Sequence, residues 1–377
     1  LFQSLRDRGA EVVQICHPRS GSAYGFMQYF DRVDLRYDFA GRTFHGNPNG
    51  QPIPSSYLRL PGDTDLFSDQ FDALEVWNGF APVDSDLDGV PEDGSLDRVL
   101  RDWMNLLSLG KEVAPLGNSD THSLDRDPPG LPRTLIRVAD DSPTGIQAAE
   151  GLVYDAVLGR SGTPRDLVVT NGPMLAMSTD GGATSAIGRV VTASGADAVV
   201  NLTIRASSAD WLPFDTIEVF ANAALDPIEG NVTALTPLAC FTARDRSALM
   251  ESDPCAKAPF GGARAMTVEF APIPGAAGAK RWVATVTLPL AAADVVNRDF
   301  ASGKDAWVVA RVRGQRALFP ILIQGALTDD NLDAIVGATS QEALDAALAG
   351  RGVPSLAFTA PVFIDFDGGG YRAPFAP

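Results

Sequence analysis

The chain holds three histidines, His17, His45 and His122. One of them follows an acid by two residues, in Gly117-Asn118-Ser119-Asp120-Thr121-His122, at the end of the apolar run that starts at Val113. In an extended backbone residues i and i+2 point to one side. Asp120 and His122 are therefore expected to leave a strand end together. A carboxylate oxygen and an imidazole nitrogen aimed at one point suit a divalent metal such as Zn²⁺ or Mn²⁺. The competing reading is an Asx-type turn in which Asp120 caps the next segment and His122 is simply exposed.

Other residues could join such chemistry. His17 follows the apolar run Val12-Val13-Gln14-Ile15-Cys16 and precedes Pro18, so it falls at a predicted strand end. Glu75 lies inside an apolar strand pattern, Ala73-Leu74-Glu75-Val76-Trp77, and there it needs a metal or a core partner such as an arginine. Arg133 follows the rigid loop 127–132 and is placed either to meet a substrate anion or to form a plain salt bridge. Asp84, Asp86 and Asp88 alternate ahead of Gly89 as in the first half of a calcium loop, but the twelfth place is Ser95, so the alternative is a solvated acidic turn. His45 sits in a polar loop and reads chiefly as an exposed residue.

Composition limits the partners. Net charge is −17, from 47 acidic against 30 basic residues, which argues against a phosphate-backbone-binding surface. Hydrophobic residues make up 45%, enough for substantial cores, and 377 residues suggest two or more domains. No apolar stretch is long enough to span a bilayer. Of three cysteines, Cys240 and Cys255 could pair, and Cys16 is expected to fill core volume. The odd count does not fix the compartment; a secreted or periplasmic location is the expectation.

The elements that must position these residues change character near residue 173. Before it, the pattern predicts buried parallel strands at 11–18, 71–79 and 113–118, a helix over 96–109 and another over 146–158. A Gly-, Pro- and aromatic-rich insert over 19–67 reads as a lid. After it come short alternating strands, at 199–205, 216–220, 266–270, 282–288, 306–312 and 318–323, that predict an antiparallel β-sandwich. A helix over 341–348 is expected to open with a capping box, Thr339…Glu342. Asp365 and Asp367, in the Gly-rich ending, read mainly as turn formers, with metal binding as the weaker alternative.

His17-Pro18, Asp72-Ala73-Leu74-Glu75-Val76 before Asn78-Gly79, Gly117–His122 and Gly130-Leu131-Pro132-Arg133-Thr134 together resemble the polymerase-and-histidinol-phosphatase (PHP) metal-dependent phosphoesterases. The nearer resemblance is to the carbaryl-hydrolase-like (CehA/McbA) branch. Thr170-Asn171-Gly172-Pro173, the stretch from Trp211 to Val219 and the ending from Phe358 are similar to that branch's appended β-domain. The resemblance implies the C-terminal part of a distorted (β/α)7 barrel over residues 1–172, including the insert at 19–67 and the acidic loop at 84–95, then a β-sandwich over 173–377. It implies Zn, Mn or Fe ions, with His17, Asp120 and His122 as ligands and Glu75 near the site.

The family's opening His-x-His has no counterpart here, so the sequence reads as N-terminally truncated, and this stretch alone is expected to be inactive. The expected parent activity is hydrolysis of a small-molecule ester or phosphoester by metal-activated water. The rival is a non-catalytic extracellular module that holds Ca²⁺ in its acidic loops and binds a partner.

Overall fold

The computed structural model describes residues 2–19, 29–46, 67–79, 95–122, 129–148, 150–160, 162–179, 181–193, 198–223, 235–249, 253–296, 305–322, 329–348 and 352–376. In chain order α1 (Phe2–Arg6) leads to β1 (Gln14–Ile15). Then come α2 (Tyr29–Arg32), the hairpin β2 (Arg36–Asp38) and β3 (Thr43–His45), β4 (Ala73–Asn78), α3 (Ser95–Ser108), β5 (Ala114–Asn118) and β6 (Arg133–Ile136). Helices α4 (Pro143–Ala148) and α5 (Glu150–Leu158) precede β7 (Leu167–Thr170), β8 (Met174–Thr179), β9 (Val190–Thr192), β10 (Val199–Ala209), β11 (Thr216–Ala221) and β12 (Ala239–Thr242). The remainder is β13 (Ala263–Ala265), β14 (Glu269–Pro272), β15 (Lys280–Ala291), α6 (Ala292–Val296), β16 (Ala306–Leu322), α7 (Asp329–Val336), α8 (Gln341–Ala347), β17 (Gly352–Thr359) and β18 (Val362–Asp365).

The chain is mixed α/β and mostly sheet. Strands β1, β4 and β5 form a three-stranded parallel sheet in the order β1-β4-β5. No barrel closes around it among the described residues. Every residue of β4 from Ala73 to Trp77 is buried, as a parallel strand covered on both faces requires. The pairing of β4 with β5 slips between Glu75 and Trp77, which leaves Val76 as an extra residue. Such a bulge re-aims the side chains beside it.

A four-stranded sheet, β14-β15-β10-β8, faces a nine-stranded one built on β13-β12-β11-β16-β17-β7-β6. Alternation along β10 and β15 buries Val200, Leu202 and Ile204 with Val286, Leu288 and Leu290, in one core with Ile217, Val219, Val308 and Ala310 of the larger sheet. Two sheets over one core are compatible with the expected sandwich. Strands β6 and β7, which precede residue 173, are hydrogen-bonded into the larger sheet, β7 against β17.

Helix α3 joins the two parts. Trp103 stacks obliquely on Phe358 at 6.0 Å and donates to the Val113 carbonyl. Trp307 donates to Ser108 Oγ, and Arg311 reaches Asp97. The parallel sheet is thus braced against the larger sheet by buried rings and one buried charge pair.

Three local expectations are corrected. The strand expected over 11–18 is two residues long and lies at a sheet edge. Its burial alternates, so Cys16 is exposed and fills no core volume. The helix expected over 146–158 is two, α4 and α5. The cap of α8 is Ser340, whose side chain accepts from the Ala343 N–H, and not the expected Thr339. In the expected lid, residues 29–46 are described. There Phe30 is fully buried in a cluster with Phe67, Phe71 and Tyr29.

Candidate metal-binding site

His17 follows β1 and Asp120 follows β5, the two outer strands of the parallel sheet, with β4 between them. Next-but-one strands lie roughly 9.5 Å apart. Yet His17 Nε2 stands 3.7 Å from Asp120 Oδ2. Both residues reach inward because both take left-handed backbone, with φ of 45° at His17 and 50° at Asp120. That conformation is uncommon outside glycine, though aspartate and histidine adopt it more readily than most side chains.

Glu75, on the middle strand, lies beneath them. Its carboxylate is 4% exposed. Oε2 accepts the His17 backbone N–H at 2.7 Å, and Oε1 accepts from Asn118 Nδ2 at 2.6 Å. The buried carboxylate thus has polar partners on the two flanking strand ends, a backbone N–H and an amide. On the far side of His17, Arg19 is buried and pairs through its guanidinium with Asp102 of α3, and Tyr37 donates to the same carboxylate at 2.7 Å. Burial lowers the Arg19 pKa, but the charge of Asp102, its hydrogen bond and the charge of Asp31 act with Tyr37 to outweigh that cost and hold it well above the ordinary guanidinium value. His17 therefore sits between two fixed points, a buried carboxylate that holds its N–H and a buried ion pair two residues on.

His122 departs from expectation. The extended run needed to align it with Asp120 is broken at Asp120 itself, where φ is positive. The His122 ring is 75% exposed, with Nδ1 2.6 Å from the Asp120 carbonyl and 3.9 Å from Oδ1. His17, Asp120 and His122 do not all come within 4.8 Å of one another. The structure brings two of the three predicted ligands together and leaves the third beside them, turned to solvent.

Two donors 3.7 Å apart fit one cation. Bonds of 2.0–2.2 Å at a tetrahedral centre set ligand atoms about 3.3–3.6 Å apart. The field agrees in sign. The Cys16 thiol, next to His17, is exposed at its surface but partly shielded by its neighbours, and it is pushed up first by that partial desolvation and then by the carboxylates of Glu75 and Asp120. A site with that negative field attracts cations.

The other predicted residues lie as follows. Arg133 is exposed and donates to the Gly130 carbonyl, in a loop with a cis Leu131–Pro132 bond. His45 is exposed on β3 with Nδ1 3.0 Å from the Gly46 carbonyl. Asp84, Asp86 and Asp88 lie outside the described residues. Cys240 and Cys255 form a disulfide and are both buried.

Sequence reading named Asp365 and Asp367 but missed the third member of their acidic group, Asp305. Asp305, Asp365 and Asp367 are, among the described residues, the cluster of three whose ligand atoms all lie within 4.8 Å. Asp365 accepts from the Gly368 and Gly370 N–H groups, and Asp305 accepts from those of Phe366 and Arg372. Asp365 and Asp367 thus act as turn formers, and Asp305 pins the returning chain. Burial first, and then the neighbouring Asp365 and Asp367, push the Asp305 carboxyl up. The only signal in the sequence was the Asp-x-Asp-Gly turn itself, since Asp305 is sixty residues distant from Asp365.

In comparisons with protein-family models, curated proteins and solved structures, nothing matches this chain. Among the described residues no helix is long and apolar enough to cross a membrane.

Proposed function

We propose that the protein is a metal-dependent hydrolase of the PHP type, acting on small-molecule esters or phosphoesters, and that the parallel sheet β1-β4-β5 carries its site. The observation that carries this reading is the convergence of His17 Nε2 and Asp120 Oδ2 at the C-terminal ends of parallel strands. In α/β folds that end of the strands is where ligands and catalytic groups gather. His17 and Asp120 would hold the cation, Zn, Mn or Fe, with the exposed His122 beside them as the third candidate ligand. When bound, such a cation supplies a water acidified toward neutral pH and polarises the ester oxygen. Arg133, the first residue of β6, is the candidate to meet a substrate anion.

The test is metal content and turnover of p-nitrophenyl phosphodiesters and carboxylic esters by the purified protein, by H17Q and by D120N. Metal and rate should fall together in both variants. Unchanged metal content in D120N removes the assignment.

A second reading is a non-catalytic extracellular module that binds Ca²⁺. The Asp305–Asp365–Asp367 cluster favours it. Its carboxylates are already engaged by backbone N–H groups, so the reading requires Ca²⁺ to raise the melting temperature without Zn²⁺ binding at His17.

A further inference from the structure

We propose that Glu75 is a positioning residue, which presents His17 to a divalent cation and is itself neither ligand nor acid–base catalyst; this rests on the metal reading above. Both of its oxygens are engaged, one by the His17 N–H and one by Asn118 Nδ2, and only 4% of its side chain is exposed. A carboxylate so enclosed has little reach toward a substrate proton or an ion.

What it does reach is the ligand. It holds the N–H of a residue in left-handed backbone, a conformation that costs about 1–2 kcal/mol and needs such a contact to persist. It also faces the ring. His17 Nδ1 lies 3.9 Å from Glu75 Oε2, while Nε2 looks the other way, toward Asp120 and, at 3.5 Å, Asn78 Nδ2. Carboxylates face both ring nitrogens at similar distances, but the Asn78 amide can only donate to Nε2, which favours a proton on Nδ1 toward Glu75 and leaves the Nε2 lone pair for a cation. The amide of Asn118, one hydrogen bond from Glu75, ties the same carboxylate to the strand that carries Asp120. One buried side chain therefore sets both halves of the pair.

The test reads the imidazole directly. In ¹⁵N-resolved NMR of the wild-type protein His17 should be the Nδ1–H tautomer, and Zn²⁺ should shift its Nε2. In E75Q, where one oxygen remains to serve two donors, the tautomer should mix, and the Zn²⁺ midpoint at His17 should rise ten- to a hundredfold in a protein that still melts cooperatively. An Nε2–H tautomer in the wild type overturns the proposal even if E75Q does not fold. Zn²⁺ shifts lost in D120N but unchanged in E75Q overturn the role of Glu75 and leave the metal reading standing. No Zn²⁺ response of His17 in the wild type overturns the metal reading and the proposal with it.

Discussion

Asp120 Oδ2 stands 3.7 Å from His17 Nε2 although the strands that lead to these residues are separated by a third. The approach depends on positive φ at both residues, so backbone and charge can be tested apart. Asparagine tolerates left-handed backbone and removes the charge. D120N should therefore keep stability within about 1 kcal/mol of wild type and lose cation binding. A β-branched residue does not tolerate it, and D120V should cost about 1–2 kcal/mol besides. Urea unfolding of the two variants, read beside Zn²⁺ titrations, checks the split.

Gly117 sets how closely β5 approaches the larger sheet. A Cβ there would collide with Val169 Cγ1 of β7 and lie 3.4 Å from Pro132 Cβ. Its N–H is held by Thr134 Oγ1 at 2.8 Å, so the strand cannot back away without losing that bond. G117A should cost about 1–3 kcal/mol by overpacking. It should also weaken Zn²⁺ binding at His17, because Asn118 and Asp120 move with the strand. Denaturant midpoints and the His17 titration should change together; a stability loss with intact binding would show that β5 is not what places Asp120.

The parallel strands and α3 were legible because their signals are local: unbroken apolar runs and a helical spacing of large side chains. Glu75 was legible as a buried acid but not in its role. Its partners come from a backbone N–H 58 residues away and an amide 43 residues away. His122 was misplaced because period-two reasoning assumes extended backbone, and Asp120 leaves it. Asp305 gave no signal of its own, because only the pairing of β16 with β18 brings it to Asp365. Of the two hydroxyls only Thr339 has the capping-box spacing to Glu342, whereas Ser340, its neighbour, caps α8 one residue later.

Buried charge at the junction gives the protein an acid-sensitive bond between its parts. Glu218 is fully buried on β11 and accepts from Arg311 Nε at 2.7 Å and Arg313 Nε at 3.1 Å, while Arg311 also reaches Asp97 of α3. Burial alone raises the Glu218 carboxyl, but the two guanidiniums outweigh it and hold it below its ordinary value. A depressed folded-state pKa contributes stability that is present above the unfolded value. That stability is lost as pH falls through the folded one. Melting temperature should therefore fall on acidification below the usual carboxylate range. E218Q should be less stable by about 1–3 kcal/mol at neutral pH, since it leaves Arg311 with Asp97 and Arg313 with Asp253 as their remaining charged partners, and its acid limb should be flatter. Thermal melts of both proteins across pH 3–7 test the sign; equal acid limbs would exclude Glu218 as the group responsible.

The Cys240–Cys255 disulfide joins the same region, with Arg313 Nη2 3.7 Å from Cys255 Sγ. It spans 15 residues, and closing a loop of that length removes about 3 kcal/mol of chain entropy from the unfolded state. Both sulfurs are buried, at 0% and 1% residue exposure, so a soluble thiol must wait for the region to open. Dithiothreitol should leave the native protein oxidised over hours and reduce it readily in denaturant. The C240A/C255A double variant should unfold at lower urea, by the equivalent of about 3 kcal/mol, with little change at His17, whose fixed points are Glu75 and the Arg19–Asp102 pair. Rapid reduction of the folded protein, followed by mass after alkylation, would mean that the strand β12 opens locally and that the disulfide is not part of a closed core.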